Sequence, residues 1–74
     1  MFKAGTLVRL NKNVPCLRHL EDVSITIRAG TYGEIVRSCG QDLHVIQVLD
    51  QPYVGLSLMV KENDLTIQQN HQLN

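Results

Sequence analysis

One alternating segment strongly limits what this chain can fold into. Residues 23–28 read VSITIR and lead into a Gly-x-x-Gly turn at residues 30–33, from which the chain leaves as a second strand. Because successive side chains of a strand point to opposite faces, Val23, Ile25 and Ile27 share one face and the polar residues share the other. A chain of 74 residues has room for one small core, so only one face can be buried. The segment therefore predicts a small all-β domain.

The rest of the chain reads as further short strands joined by turns. Apolar runs bounded by Gly, Pro, Asn and Asp predict strands over residues 6–10, 23–28, 33–37, 43–49, 54–60 and 64–67. Residues 12–22 are expected to form a long irregular loop, because Pro15 lacks the N–H that a strand ladder uses. The adjacent apolar residues Val45 and Ile46 predict a one-residue bulge.

These elements favour a single SH3-like barrel of five to six short antiparallel strands over residues 1–67. The OB fold is the main competitor, but residues 37–43 leave no room for its helix. Residues 68–74 are almost entirely polar and are expected to be a disordered tail. The inward side chains predicted from the alternation are Leu7 or Val8, Ile25, Ile27, Ile35, Val45, Val48, Leu56, Leu58 and Leu65.

Charge and cysteine content restrict the partners and the compartment. Seven basic and seven acidic residues give a net charge of zero, which disfavours general nucleic-acid affinity. Cys16 and Cys39 are too few for a disulfide framework and are expected to be free thiols. The chain begins without a basic, apolar leader and contains no run of roughly 20 apolar residues. We expect a cytoplasmic protein that does not enter a membrane.

The sequence displays no recognisable catalytic constellation, metal-ligand spacing or phosphate loop. His19 stands beside Glu21 and Asp22, which we interpret as a solvated loop rather than an acid–base or metal site. His44 is expected on the polar side of its strand, paired across strands with Glu34. We therefore expect no enzymatic activity, no cofactor and no bound metal.

The motif Gly30-x-x-Gly33-x-Ile35-Val36 carries a resemblance to known families. Together with residues 5–10 (GTLVRL) and Asp64-Leu65, it resembles small bacterial SH3-like barrel proteins, including the NifZ-type nitrogen-fixation accessory proteins. The central element alone is similar to the KOW motif of ribosomal and transcription factors. The first resemblance implies an SH3-like fold in an accessory protein, and the second implies RNA or ribosome contact.

We expect a non-catalytic interaction or accessory module that binds another protein or a second copy of itself, as a homodimer. Loop and turn residues that combine apolar, aromatic and cationic groups are the candidate contacts: Leu17, Arg18, His19, Tyr32 and Tyr53. The alternative is a KOW-like module associated with nucleic acid or ribosomes. Its candidate contacts are the cations Lys3, Arg9, Lys12, Arg28 and Arg37.

Overall fold

The computed structural model describes residues 2–18 and 23–68. This part of the chain contains seven strands and one short 3₁₀ helix, which confirms an all-β domain. The strands are β1 (Leu7–Leu10), β2 (Val14–Arg18), β3 (Val23–Ile27), β4 (Tyr32–Ser38), β5 (Leu43–Val48), β6 (Ser57–Lys61) and β7 (Leu65–Ile67). The 3₁₀ helix, Glu62–Asp64, joins β6 to β7.

Five strands form one antiparallel sheet in the order β6-β5-β4-β1-β7, and β2 and β3 form a separate two-stranded sheet. The strands β4, β5 and β6 follow one another as hairpins, and β1 joins β4 to β7. Within the described residues, β6 and β7 are the outer strands of the large sheet. Closure of these strands into a barrel stays a prediction.

The core lies on one face of the large sheet and under the β2–β3 hairpin. Its buried apolar residues are Val8, Leu10, Ile27, Ile35, Ile46, Val48, Leu58, Val60 and Leu65. Phe2, Val14, Cys16, Ile25, Tyr53 and Leu56 are half-buried and pack against that cluster. The ambiguity in β1 is resolved in favour of Val8, which is fully buried, over Leu7, which is half-buried.

Two expectations along β5 and β6 are wrong. In β5, Ile46 is buried and Val45 is only half-buried, because Ile46 shares its face with Val48, two residues further on. The strand expected over 54–60 begins only at Ser57, because a turn includes Gly55 with a φ of 92°. A positive φ of this size is a conformation that glycine adopts without steric cost.

The long irregular loop expected over residues 12–22 is also wrong in its first half. Residues 14–18 form β2, in which Val14 lies opposite Ile27 and Pro15 lies opposite Thr26. Pro15 is tolerated because this sheet has two strands, so each strand has an outer side that needs no ladder donor. The half-buried Val14 anchors the strand against the core. Residues 19–22, the rest of the expected loop, lie outside the described residues.

The bulge lies on β4, not at Val45 and Ile46 of β5 as expected. Ile35 pairs with Ile46 and Arg37 pairs with Val45, so Val36 is the extra residue between them. An extra residue reverses the alternation of faces beyond it. In a regular strand, residues three positions apart point to opposite faces. With the bulge, Ser38 shares the inner face with Ile35. Because of the bulge, the end of β4 places Ser38 rather than Arg37 on the inner face of the sheet.

Gln68, which follows β7, adds one more backbone contact to the sheet. The Gln68 backbone N–H donates to the Leu7 carbonyl oxygen at 2.8 Å, which extends the pairing of β7 with β1. The rest of the tail expected to be disordered, residues 69–74, lies outside the described residues.

Candidate functional site

A cleft opens between the end of β3 and the turn that follows β5. It has a volume of about 300 Å³, and its lining residues are Thr26, Ile27, Arg28, Thr31, Val48, Asp50, Gln51, Pro52 and Tyr53. We call this feature the Tyr53 cleft. The lining combines the buried core residues Ile27 and Val48 with one aromatic side chain, one cation and one carboxylate. That mixture is typical of surfaces that bind other proteins.

Hydrogen bonds donated by backbone N–H groups hold the walls of the cleft in place. Asp50 accepts a hydrogen bond from the Tyr32 backbone N–H at 2.9 Å, and the Leu49 N–H donates to the Tyr32 carbonyl oxygen at 3.0 Å. The Tyr53 N–H donates to the Asp50 carbonyl oxygen at 3.2 Å, which closes the turn. The Asp50 carboxylate thus ties the start of β4 to the turn that carries Tyr53.

Two of the five residues expected to contact a partner, Tyr32 and Tyr53, lie in different places. Tyr53 is half-buried in the cleft, whereas Tyr32 lies outside the cleft lining, with the Arg9 guanidinium 5.7 Å from its ring centre. Leu17 and Arg18 end β2, opposite Ser24 and Val23 respectively. His19 lies outside the described residues.

The five cations of the nucleic-acid alternative are also spread over different elements. Arg28 lines the cleft, and the Lys12 ammonium lies 3.5 Å from the Asp64 carboxylate. Arg9 on β1 pairs with Tyr32 on β4. Arg37 lies five residues beyond Tyr32 along β4, which corresponds to about 17 Å at roughly 3.4 Å per residue. Lys3 precedes β1 and is exposed. The five cations thus come from several elements of the chain rather than from one strand.

A second group of side chains was missed by the sequence analysis. Ser38 Oγ lies 2.8 Å from His44 Nδ1, and His44 Nε2 lies 2.9 Å from a Glu62 carboxylate oxygen. We call these three residues the His44 cluster. His44 is only 2% exposed, so the expectation that it lies on the polar face is wrong. Its expected partner, Glu34, lies opposite Gln47 instead.

Strand register brings the His44 cluster together. Ser38 and His44 are directly opposed in the pairing of β4 with β5, and His44 is opposed to Val60 in the pairing of β5 with β6. Glu62 follows Val60 by two positions, and its N–H donates to the Asp42 carbonyl oxygen at 2.7 Å. The sequence does hold a signal for the buried histidine, because His44, Ile46 and Val48 are spaced by two.

The hydrogen bonds select one tautomer of His44. A carboxylate accepts hydrogen bonds and donates none, so His44 Nε2 carries the proton that bonds to Glu62. In the neutral ring the Nδ1 lone pair is then free to accept the hydroxyl proton of Ser38. The ring of Phe2 stacks on the imidazole, with 5.0 Å between centres and 23° between planes. The histidine is thus shielded while the serine at its edge is exposed.

A cavity of about 300 Å³ lies beside this group. Its lining residues are Phe2, Ser38, Gly40, Gln41, His44 and Glu62. The hairpin between β4 and β5 forms one wall, where Gly40 has a φ of 104° that favours glycine. The cavity shares no lining residue with the Tyr53 cleft.

The described residues also bear on metal, thiol and membrane-spanning sites. Across residues 2–18 and 23–68, no cluster of three or more His, Cys, Asp or Glu side chains is arranged to hold a metal ion. Cys16 and Cys39 are half-buried free thiols. Among the described residues, no helix has the length and apolar character needed to cross a membrane.

Comparison with known proteins gives no relative: no protein-family model, no curated protein and no solved structure matches this chain.

Proposed function

We propose that this chain is a small protein-binding module and that the Tyr53 cleft is its binding surface. The observation that supports the proposal is the position of Tyr53, a half-buried aromatic side chain that lines the cleft together with Arg28 and Asp50. Rigid aromatic side chains in such positions dominate the energy of many protein interfaces. The proposed partner is an extended segment of another protein that places an apolar side chain against Tyr53.

Charge favours a protein segment over nucleic acid as the occupant. The cleft presents both Arg28 and Asp50, so it complements a segment with polar groups of either sign. A phosphate backbone would meet the Asp50 carboxylate unfavourably. The ion pair of Lys12 with Asp64 and the separation of Arg9 from Arg37 also weaken the nucleic-acid alternative. The SH3-like barrel and the NifZ-type or KOW-type relationship remain predictions.

The test uses two exposed arginines as a matched pair. Peptides are selected from a random displayed library against the wild-type protein, and the Kd of the best binder is measured for wild type, Arg28→Ala and Arg37→Ala. Arg28 lines the cleft, whereas Arg37 lies on β4 outside it. We expect a rise in Kd of at least fivefold for Arg28→Ala and less than twofold for Arg37→Ala, because only the first loses a cleft contact. Equal effects of the two changes would place the surface elsewhere.

Two further measurements address the other partners. Labelled single-stranded and double-stranded RNA are titrated at low salt. Binding tighter than the ~10⁻⁴–10⁻⁶ M of nonspecific electrostatic contact would favour the nucleic-acid module and overturn the proposal. Light scattering over a concentration series tests the homodimer. If Arg28→Ala alone abolished a dimer, the cleft would be a contact between copies.

A further inference from the structure

The His44 cluster has the arrangement of groups that activates a serine hydroxyl. A nucleophile, a base and an orienting carboxylate lie in series, with both hydrogen-bond distances within 2.9 Å. Ser38 is exposed, whereas the base behind it is 2% exposed and covered by Phe2. A hydroxyl that donates to a shielded imidazole can lose its proton to that ring as it attacks an electrophile. The adjacent cavity leaves space for such an electrophile.

We propose that Ser38 is a nucleophile that accepts acyl groups from small uncharged esters, with His44 as its general base. Glu62 is the positioning residue, because it holds the proton on Nε2 and leaves Nδ1 to accept from Ser38. The order of ring nitrogens is the reverse of that in serine proteases, where Nε2 faces the serine. The imidazole can transfer a proton through either nitrogen, so the chemistry is the same.

The first step of the proposed reaction involves only Ser38, His44 and the ester. The Ser38 Oγ forms a bond to the ester carbonyl carbon, and the hydroxyl proton moves to His44 Nδ1. The bond from that carbon to the leaving oxygen breaks, and the proton passes from His44 to the departing alkoxide. The products are an acyl-serine and an alcohol. In the second step a water molecule gives a proton to His44 Nδ1 and its oxygen bonds to the acyl carbon. The bond from that carbon to Ser38 Oγ breaks, and the proton passes from His44 to Oγ, which releases the acid and restores the serine.

The cavity indicates which esters fit. Its volume of about 300 Å³ is at the lower end of the range for ligand pockets, which limits the substrate to a small molecule. The Phe2 ring offers an apolar surface to an alkyl or short acyl chain. The Glu62 side chain is 35% exposed and lines the cavity, so an anionic ester would be repelled.

The test uses an uncharged alkyl fluorophosphonate, which reports the nucleophilicity of serine without competition from the neighbouring thiol of Cys39. Attack by Ser38 forms an O–P bond and releases fluoride, and the hydroxyl proton passes to His44. The intact wild-type protein is labelled, and peptide mass spectrometry gives the labelling rate at each serine. Ser57 is an internal control, because it is an exposed serine on β6 and lies outside this cavity.

We expect Ser38 to be labelled about 100-fold faster than Ser57, since a positioned general base contributes roughly 10²–10⁴ in rate. A ratio above tenfold supports the proposal, and a ratio below tenfold overturns it. In folded Glu62→Gln protein, the rate at Ser38 should fall at least fivefold while the rate at Ser57 is unchanged. An unchanged rate at Ser38 would overturn the role of Glu62. Ser57→Ala protein, as matched control, should keep the full rate at Ser38.

This site and the protein-binding proposal fail independently. The labelling experiment involves no residue of the Tyr53 cleft, and the Arg28→Ala comparison involves no residue of the His44 cluster.

Discussion

Ser38 and His44 face each other across β4 and β5, with the serine Oγ 2.8 Å from His44 Nδ1. The pairing depends on the bulge at Val36, because in a regular strand Ser38, three positions after the inward-facing Ile35, would point to the outer face. The bulged register of β4 therefore provides a hydrogen-bond partner for a ring nitrogen that is buried in the core. Leaving such a group without a partner would cost about 1–3 kcal/mol.

The first prediction concerns the proton on this ring. Because Glu62 accepts from Nε2, wild-type His44 in its neutral form should be a single tautomer protonated at Nε2. Long-range ¹H–¹⁵N NMR spectra of the ring distinguish the two nitrogens. In Glu62→Gln protein the amide can either donate or accept, so the Nε2–H form should no longer be enforced. A wild-type ring protonated at Nδ1 would contradict the hydrogen-bond assignment.

The second prediction tests the register of β5 with two adjacent residues. Ile46→Ala should lower the free energy of unfolding by about 2–5 kcal/mol, because it removes a side chain that is 1% exposed. Val45→Ala should cost clearly less, because Val45 is half-buried and faces away from the core. Urea denaturation of the two variants gives both values. Equal costs, or a larger cost for Val45→Ala, would mean that the register differs by one residue.

The third prediction concerns Gly33, which is buried in β4 where β4 packs against β5. A Cβ atom there would lie 3.0 Å from Ile46 Cδ1 and 3.2 Å from the Gln47 carbonyl oxygen. Overpacking of this kind costs about 1–3 kcal/mol. Replacing glycine with alanine also lowers the entropy of the unfolded chain, which stabilises the folded state by only about 0.4–1 kcal/mol. Gly33→Ala should therefore destabilise the protein by about 1–2 kcal/mol.

Thermal and urea unfolding measure this cost, and Ser57→Ala is the control. Ser57 is an exposed strand residue, so its replacement should change stability by less than about 0.5 kcal/mol. A Gly33→Ala protein as stable as wild type would show that β4 and β5 can separate enough to admit a methyl group.

The sequence was sufficient to predict the class of fold and most strand positions, because alternation is a local property of the chain. The buried positions at Ile27, Ile35 and Leu58 agree with the alternation that predicted them. The wrong predictions occur where a residue distant in sequence determines the local structure. Pro15 is a poor strand former on its own, but β2 forms because Ile27 and the core lie opposite Val14.

The candidate sites were less predictable than the fold. The position of Tyr53 beside a turn was visible in the sequence, but the residues it meets in the cleft come from β3 and from the approach to β4. The His44 cluster depends on how three strands pair: on the bulged pairing of β4 with β5 and on the pairing of β5 with β6. Spacings of six and eighteen residues between Ser38, His44 and Glu62 carry no local signature.

The last prediction concerns whether β2 contributes to folding. An irregular loop over residues 12–22, as expected from the sequence, would be dispensable for folding, but Val14 packs against the core and lies opposite Ile27. Val14→Ala removes two carbon atoms, each worth about 0.8 kcal/mol when fully buried, and should cost about 1–2 kcal/mol at this half-buried position. Ser24→Ala on the paired strand β3 is the control, because Ser24 is exposed and its loss should cost less than about 0.5 kcal/mol. If urea denaturation shows that Val14→Ala is as stable as the Ser24→Ala control, the hairpin does not contribute to the core, and residues 14–18 are free to serve binding alone.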